Sequence, residues 1–113
     1  MRNRYTFTID PSGADCLDDA LSFRKLDNGN FEITVYIADV AGMITPGSEI
    51  DRYACTMAET IFRNKTIPML PNKICNSYSS LIMGSDKLVH AYTFEITPNN
   101  KVTNTRIERA LIR

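Results

Sequence analysis

The chain has 113 residues, of which 43% are hydrophobic and 23% charged, an ordinary globular composition that excludes a disordered tail and suits one domain or part of one. Its formal net charge is zero, so there is no global electrostatic signature of nucleic-acid binding. Three cysteines, Cys16, Cys55 and Cys75, lack CxxC or histidine spacing, which argues against zinc and against a disulfide framework.

Tyr5 to Ile9 alternates aromatic or aliphatic residues with threonine, as a strand does. Ile9 to Ser22 then places Asp10, Asp15, Asp18 and Asp19 within ten residues, with Pro11 and Gly13 among them, and reads as a turn-rich loop. Such runs are often only solvated turns. Here strand-like segments flank the run, so its acids cannot all face bulk water. Carboxylates that close repel one another, and a divalent cation that takes hard oxygen ligands, Mg²⁺ or Mn²⁺, would compensate them. The spacing lacks the alternating acids and closing glutamate of an EF-hand, which excludes calcium binding of that type.

Asp27-Asn28-Gly29-Asn30 carries the Asn-Gly signal of a hairpin joining Ala20 to Leu26 with the strand that begins at Phe31. That strand sets Phe31, Ile33, Val35 and Ile37 on one face and Glu32, Thr34 and Tyr36 on the other, as a half-buried strand does. Asp18 and Asp19 therefore fall just before a rigid element, where a metal ligand must sit if its geometry is to be held. Ser48 followed by Asp51 resembles a capping box, and Ile50, Tyr53, Ala54, Met57, Ala58 and Ile61 follow at the spacing of an amphipathic helix with one buried stripe. Pro68 and Pro71 bar regular structure from an apolar segment that should be an ordered, buried connection. Ser77, Ser79 and Ser80 have no base beside them and read as caps or turns.

Leu88 to Ile96 alternates as a strand and is turned by Pro98-Asn99-Asn100 into another from Val102 to about Ala110. His90 on that strand suits a hydrogen-bonded residue better than a catalyst. The chain ends strand-like at Arg113, as the middle of a domain would, and an open edge there predicts poor solubility or oligomers. Residues 1–51 hold four basic residues against nine acids and residues 52–113 nine against four, a split that suits a metal site beside a phosphate-tracking surface. The first ten residues are polar and charged and no apolar run nears a membrane span, so no membrane partner and a reducing, cytoplasmic compartment are expected. The Asn64-Lys65-Thr66 sequon would be silent there.

Thr8-Ile9-Asp10-Pro11 through Asp18-Asp19-Ala20-Leu21, then Asn28-Gly29-Asn30 through Ile37-Ala38-Asp39-Val40 with Pro46-Gly47-Ser48, then Ile67-Pro68-Met69-Leu70-Pro71, then Ser80-Leu81 with Asp86-Lys87-Leu88 follow one order and spacing. Together they resemble the start of the RNB catalytic domain of the ribonuclease II, ribonuclease R and Dis3 exoribonucleases. The resemblance implies an α+β fold, with a mixed, mostly antiparallel sheet and one amphipathic helix, over residues 1–113 as a partial RNB domain. It implies a processive 3′ to 5′ exoribonuclease that degrades single-stranded RNA to nucleoside 5′-monophosphates with two Mg²⁺ ions, or Mn²⁺ in their place. On that footing Asp10, Asp18 and Asp19 are metal ligands, and Asp18 is the catalytic acid. The fourth acidic position of the family is Cys16, with Asp15 one residue off, and a thiol is a poor Mg²⁺ ligand. The family's stacking aromatic falls on Ile61, with Phe62 one along, and its frequent histidine falls on Tyr36. The family's domain continues well past this length, so the remainder of the domain or another protein chain is an expected partner. A degenerate, non-catalytic RNB module that binds RNA or a partner protein is the alternative.

Overall fold

Alternation of apolar and polar residues builds four strands: β1 (Asp19–Lys25), β2 (Phe31–Ala38), β3 (Lys87–Ile96) and β4 (Val102–Ile112). Each pairs antiparallel with the next, in the order β1-β2-β3-β4. Among the described residues, one helix, α1 (Glu49–Met57), and one π-helical turn (Ile74–Ser79) lie in the long excursion between β2 and β3. This computed structural model describes residues 1–14, 16–61 and 67–113, apart from the Ser77 side chain. Asp15, Phe62 and the Asn64-Lys65-Thr66 sequon lie outside the described residues. The α+β expectation, an antiparallel sheet with a single main helix, holds.

The first hairpin closes as its sequence predicts. Gly29 adopts φ 84°, a conformation that favours glycine, and the Leu26 N–H donates to the Asn30 carbonyl at 2.8 Å. Cross-strand pairing of Ala20 with Tyr36, Ser22 with Thr34 and Arg24 with Glu32 sets these residues on one sheet face, which β3 extends with Val89, Ala91 and Thr93. That face is the covered one. Tyr36, Val89 and Thr34 are fully buried, and Ala20, Ala38, Ala91, Leu81 and Ile112 complete the core. Burying Val89 alone contributes about 2 kcal/mol.

The alternation of β2 is as read, yet its more covered face is the polar one. Burial of polar groups requires partners, and they are present. The Tyr36 hydroxyl and Ser22 Oγ lie 2.8 Å apart, Thr34 and Thr93 hydroxyls 3.1 Å apart, and Glu32 is paired by Arg4 at 2.8 Å and by both arms of the Arg24 fork at 2.8 and 3.0 Å. Among the described residues no buried side-chain polar atom lacks a hydrogen bond. On the opposite face Phe23, Ile37, Leu88 and Ile107 are exposed.

Four expectations are corrected. Tyr5 to Ile9 makes only one bridge, Phe7 with Leu21, at 3.0 and 2.8 Å, because it meets β1 at a single point rather than along a ladder. The helix ends at Met57 instead of running on to Ile61: Ala58 turns left-handed at φ 62°, and its N–H caps the Ala54 carbonyl at 2.8 Å. Its apolar stripe is not buried, since Ala54 alone is covered and no strand packs closely on the helix among the described residues. The segment around Pro68 is only half-buried, with Ile67 exposed and Pro68, Met69 and Leu70 partly covered.

Candidate functional site

The acidic loop is fastened to the π-helical turn by backbone bonds on both sides of Leu17. Its N–H donates to Ser80 Oγ at 3.0 Å, and its carbonyl accepts from the Leu81 N–H at 2.8 Å. The Asp18 carbonyl then accepts from the Ala38 N–H at 3.0 Å, and Asp19 opens β1 opposite Ile37. Ser79 serves the same turn, its hydroxyl donating to the Ile74 carbonyl at 2.8 Å, so Ser79 and Ser80 are structural as expected, while the Ser77 side chain lies outside the described residues. Asp18 is thereby held on a cleft of about 200 Å³ that it lines with Ala38, Val40, Met69, Leu70 and Cys75.

Cys16 decides the chemistry of that loop. Its thiol donates to Asp18 Oδ1 at 3.0 Å, with the Cys75 carbonyl 3.2 Å away. Burial, and next the hydrogen bond to Asp18, push the thiol up to about 12, so it stays protonated at neutral pH. An S–H group is no ligand for a hard cation. Asp10 is exposed, just before a turn closed by the Ala14 N–H on the Pro11 carbonyl at 3.1 Å. Among the described residues no three carboxylate, histidine or cysteine side chains converge as a metal would require. Asp10, Asp18 and Asp19 are thus not gathered into one donor set here: Asp18 accepts from a thiol, Asp10 is exposed, and Asp19 opens β1. Ile61 is partly buried in a backbone bridge with Ile67, at 2.9 Å in both directions, where the resemblance puts a stacking aromatic.

A second cluster stands where β2 leaves the sheet, between two residues of the same cleft. Asp39 is 2% exposed and accepts from Arg109 Nε at 2.9 Å and from the Gly42 N–H at 2.9 Å, with His90 Nε2 at 3.1 Å. The sheet makes this possible, because His90 and Arg109 face each other on one rung of β3 and β4. Burial alone would raise the Asp39 carboxyl; the Arg109 guanidinium and the Gly42 N–H outweigh it and hold the group below its usual range. His90 is thus a hydrogen-bonded residue, as read. Asp39 was not singled out from the sequence. Its signal was a lone acid inside the apolar run Ile37 to Val40, but its cation lies 70 positions further on.

The sequence matches the RNB domain over residues 1–113. The chain belongs to the RNB domain family. It is 36% identical over 113 residues to ribonuclease R 1 of Lactococcus lactis, covering 99% of this chain and 14% of that relative's length. The RNB fold recurs in Mycoplasma genitalium RNase R in complex with ribose methylated single-stranded RNA, with a TM-score of 0.93 at 26% identity, covering 99% of this chain and 18% of that one. It recurs also in yeast Ssd1, a pseudonuclease, with a TM-score of 0.89 at 25% identity, covering 97% and 14%. This RNB chain therefore spans about a seventh of the length of the curated relative.

Proposed function

We propose that this chain is a non-catalytic RNB module that binds single-stranded RNA. The contact between Cys16 and Asp18 carries the proposal: where the family pattern has a fourth acid, a protonated thiol takes one Asp18 oxygen at 3.0 Å. Support comes from two relatives of the same fold, an RNase R captured with single-stranded RNA and a pseudonuclease. Three free cysteines suit a reducing, cytoplasmic compartment for it. Fluorescence anisotropy of a labelled oligouridylate tests the reading. The expected result is equal affinity in Mg²⁺ and in EDTA with no mononucleotide released, whereas release of nucleoside 5′-monophosphates in Mg²⁺ or Mn²⁺ overturns it.

One observation favours a second reading, a metal-dependent 3′ to 5′ exoribonuclease of which this is a part, with Asp10, Asp18 and Asp19 as metal ligands and Asp18 as the catalytic acid. Asp18 does line a cleft. Calorimetric titration with Mg²⁺ and Mn²⁺ separates the two readings. On the non-catalytic reading wild type gives no binding heat and Asp18→Asn changes nothing, while Cys16→Asp restores a carboxylate and with it measurable binding. A clear heat in wild type that Asp18→Asn abolishes would favour the nuclease.

A further inference from the structure

We infer that Cys16 and Cys75 form a reversible disulfide, an oxidation site that joins the acidic loop to the π-helical turn and takes from Asp18 its thiol donor. The inference goes beyond the RNA-binding reading and stands whether or not RNA binds. Cys16 Sγ lies 3.2 Å from the Cys75 carbonyl oxygen, although 59 positions separate the two residues. A carbonyl oxygen sits about 3 Å from the Cβ of its own residue, so the two side chains are within the reach that a disulfide requires. The Cys75 thiol is also a hydrogen-bonding neighbour of the Cys16 thiol. Both backbones are anchored. Leu17 is bonded to Ser80 and Leu81, and the Cys75 carbonyl accepts from the Ser80 N–H at 3.1 Å and from Ser79 Oγ at 3.1 Å. The odd count and spacing of the cysteines argue against a structural framework, but not against one bridge between residues that only the fold brings together. In a reducing compartment such bridges are transient and redox-sensing.

Hydrogen peroxide is the oxidant, small enough to enter the cleft of about 200 Å³ that Cys75 lines. The Cys75 sulfur attacks one peroxide oxygen and the O–O bond breaks. The departing hydroxide takes the Cys75 proton and leaves as water, so Cys75 becomes a sulfenic acid. The Cys16 sulfur then attacks the Cys75 sulfur: the S–S bond forms, the S–O bond breaks, and the second hydroxide takes the Cys16 proton and leaves as water. The two thiols together lose two electrons, and one peroxide is reduced to two waters. A dithiol reductant restores both thiols by exchange. In the reduced chain the Cys16 thiol donates to Asp18 Oδ1 at 3.0 Å. A disulfide sulfur has no proton to donate, so oxidation leaves that oxygen open beside the cleft that Asp18 lines. Cys55, exposed on α1, is an internal control for unspecific oxidation.

The test treats the wild-type chain with hydrogen peroxide, alkylates the remaining thiols, and maps the peptides by mass spectrometry without reduction. The expected product is a monomer in which the Cys16 and Cys75 peptides are joined with the loss of two hydrogens, while Cys55 carries the alkyl label. Dithiothreitol returns all three cysteines to the labelled state. The oxidised chain should melt about 10 °C higher, because the bridge closes a long loop, and Cys75→Ser should show neither bridge nor rise. The Asp18 carboxyl carbon resonance should shift on oxidation as its thiol donor is lost. Alkylation of both Cys16 and Cys75 after treatment that oxidises Cys55 would overturn the proposal, as would a bridge to Cys55 or between two chains. A bridge between Cys16 and Cys75 that leaves the Asp18 resonance in place would overturn the release of Asp18.

Discussion

Asp39 is the residue on which the geometry beside the cleft depends. Removing its arginine leaves a buried carboxylate with the Gly42 N–H and His90 Nε2 as its remaining partners, so Arg109→Ala should destabilise the fold by about 2 kcal/mol, a figure reduced because Arg109 itself is solvent-exposed. Chemical denaturation measures this, and it should also show Asp39 titrating at a higher pH in the variant. A Cβ at Gly42 would meet Arg109 Nη2 at 2.6 Å and Asp39 Oδ2 at 2.7 Å. The arginine can swing away but the carboxylate cannot, so we expect Gly42→Ala to cost about 1–3 kcal/mol and to break the Asp39–Arg109 pair. Glu32 is held low as well, chiefly by its hydrogen bonds from Arg24 against the pull of burial. Both carboxyls lie lower in the folded than in the unfolded chain. Their stabilisation is therefore complete above the unfolded values of about 4 and is lost as pH falls through the folded ones. Melting temperature should accordingly be flat from neutrality to about pH 5 and drop below about pH 4. A flat profile down to about pH 3 would mean that these pairs contribute nothing.

At the scale of elements, α1 depends on its cap. Ser48 Oγ accepts from the Asp51 N–H at 3.2 Å, and Asp51 returns the contact to the Gly47 N–H at 2.7 Å, one residue earlier than in a capping box built with glutamate. Since no strand packs closely on the helix among the described residues, Ser48→Ala should fray it locally, by about 1 kcal/mol in amide exchange of its first turn, without shifting global unfolding. The strands were legible because alternation of period two marks them, as the Asn28-Gly29 turn marks a hairpin. Which face is covered was not legible: alternation says that Glu32, Thr34 and Tyr36 share a side, but not that Arg4 and Arg24 reach it and neutralise its acid. The end of α1 was hidden too, because an alanine rather than a glycine turns left-handed at position 58. Of the candidate site, the run of aspartates could be read directly, and the acid displaced at Cys16 only through the family resemblance. The hydrogen bond from Cys16 to Asp18 could not, since side-chain direction in a turn-rich loop follows from tertiary bonds such as those of Leu17 to Ser80 and Leu81.

The whole molecule is spread out for its size, with a radius of gyration of 16.4 Å against about 13 Å for a compact chain of this length. A sheet covered chiefly on one side accounts for this. Phe23, Leu88 and Ile107, 58%, 52% and 63% exposed, stand on the other side, and β4 forms an edge of the sheet. Sedimentation velocity should show concentration-dependent association, and Phe23→Lys combined with Ile107→Lys should weaken it by about tenfold while leaving the melting temperature within about 2 °C. Association unchanged by the double variant would place the contact elsewhere. The strictly sequential strand order also governs how the chain finds its fold. β1 with β2 and β3 with β4 close over short turns, on the microsecond scale of isolated hairpins, whereas β2 meets β3 only across the excursion from Asp39 to Asp86. Closing that loop is the costly encounter, so halving it should lower the entropic barrier by about 0.6 kcal/mol and speed folding roughly threefold. Length in the excursion thus acts on the folding clock, and Val40, Met69, Leu70 and Cys75 of the Asp18 cleft lie within it.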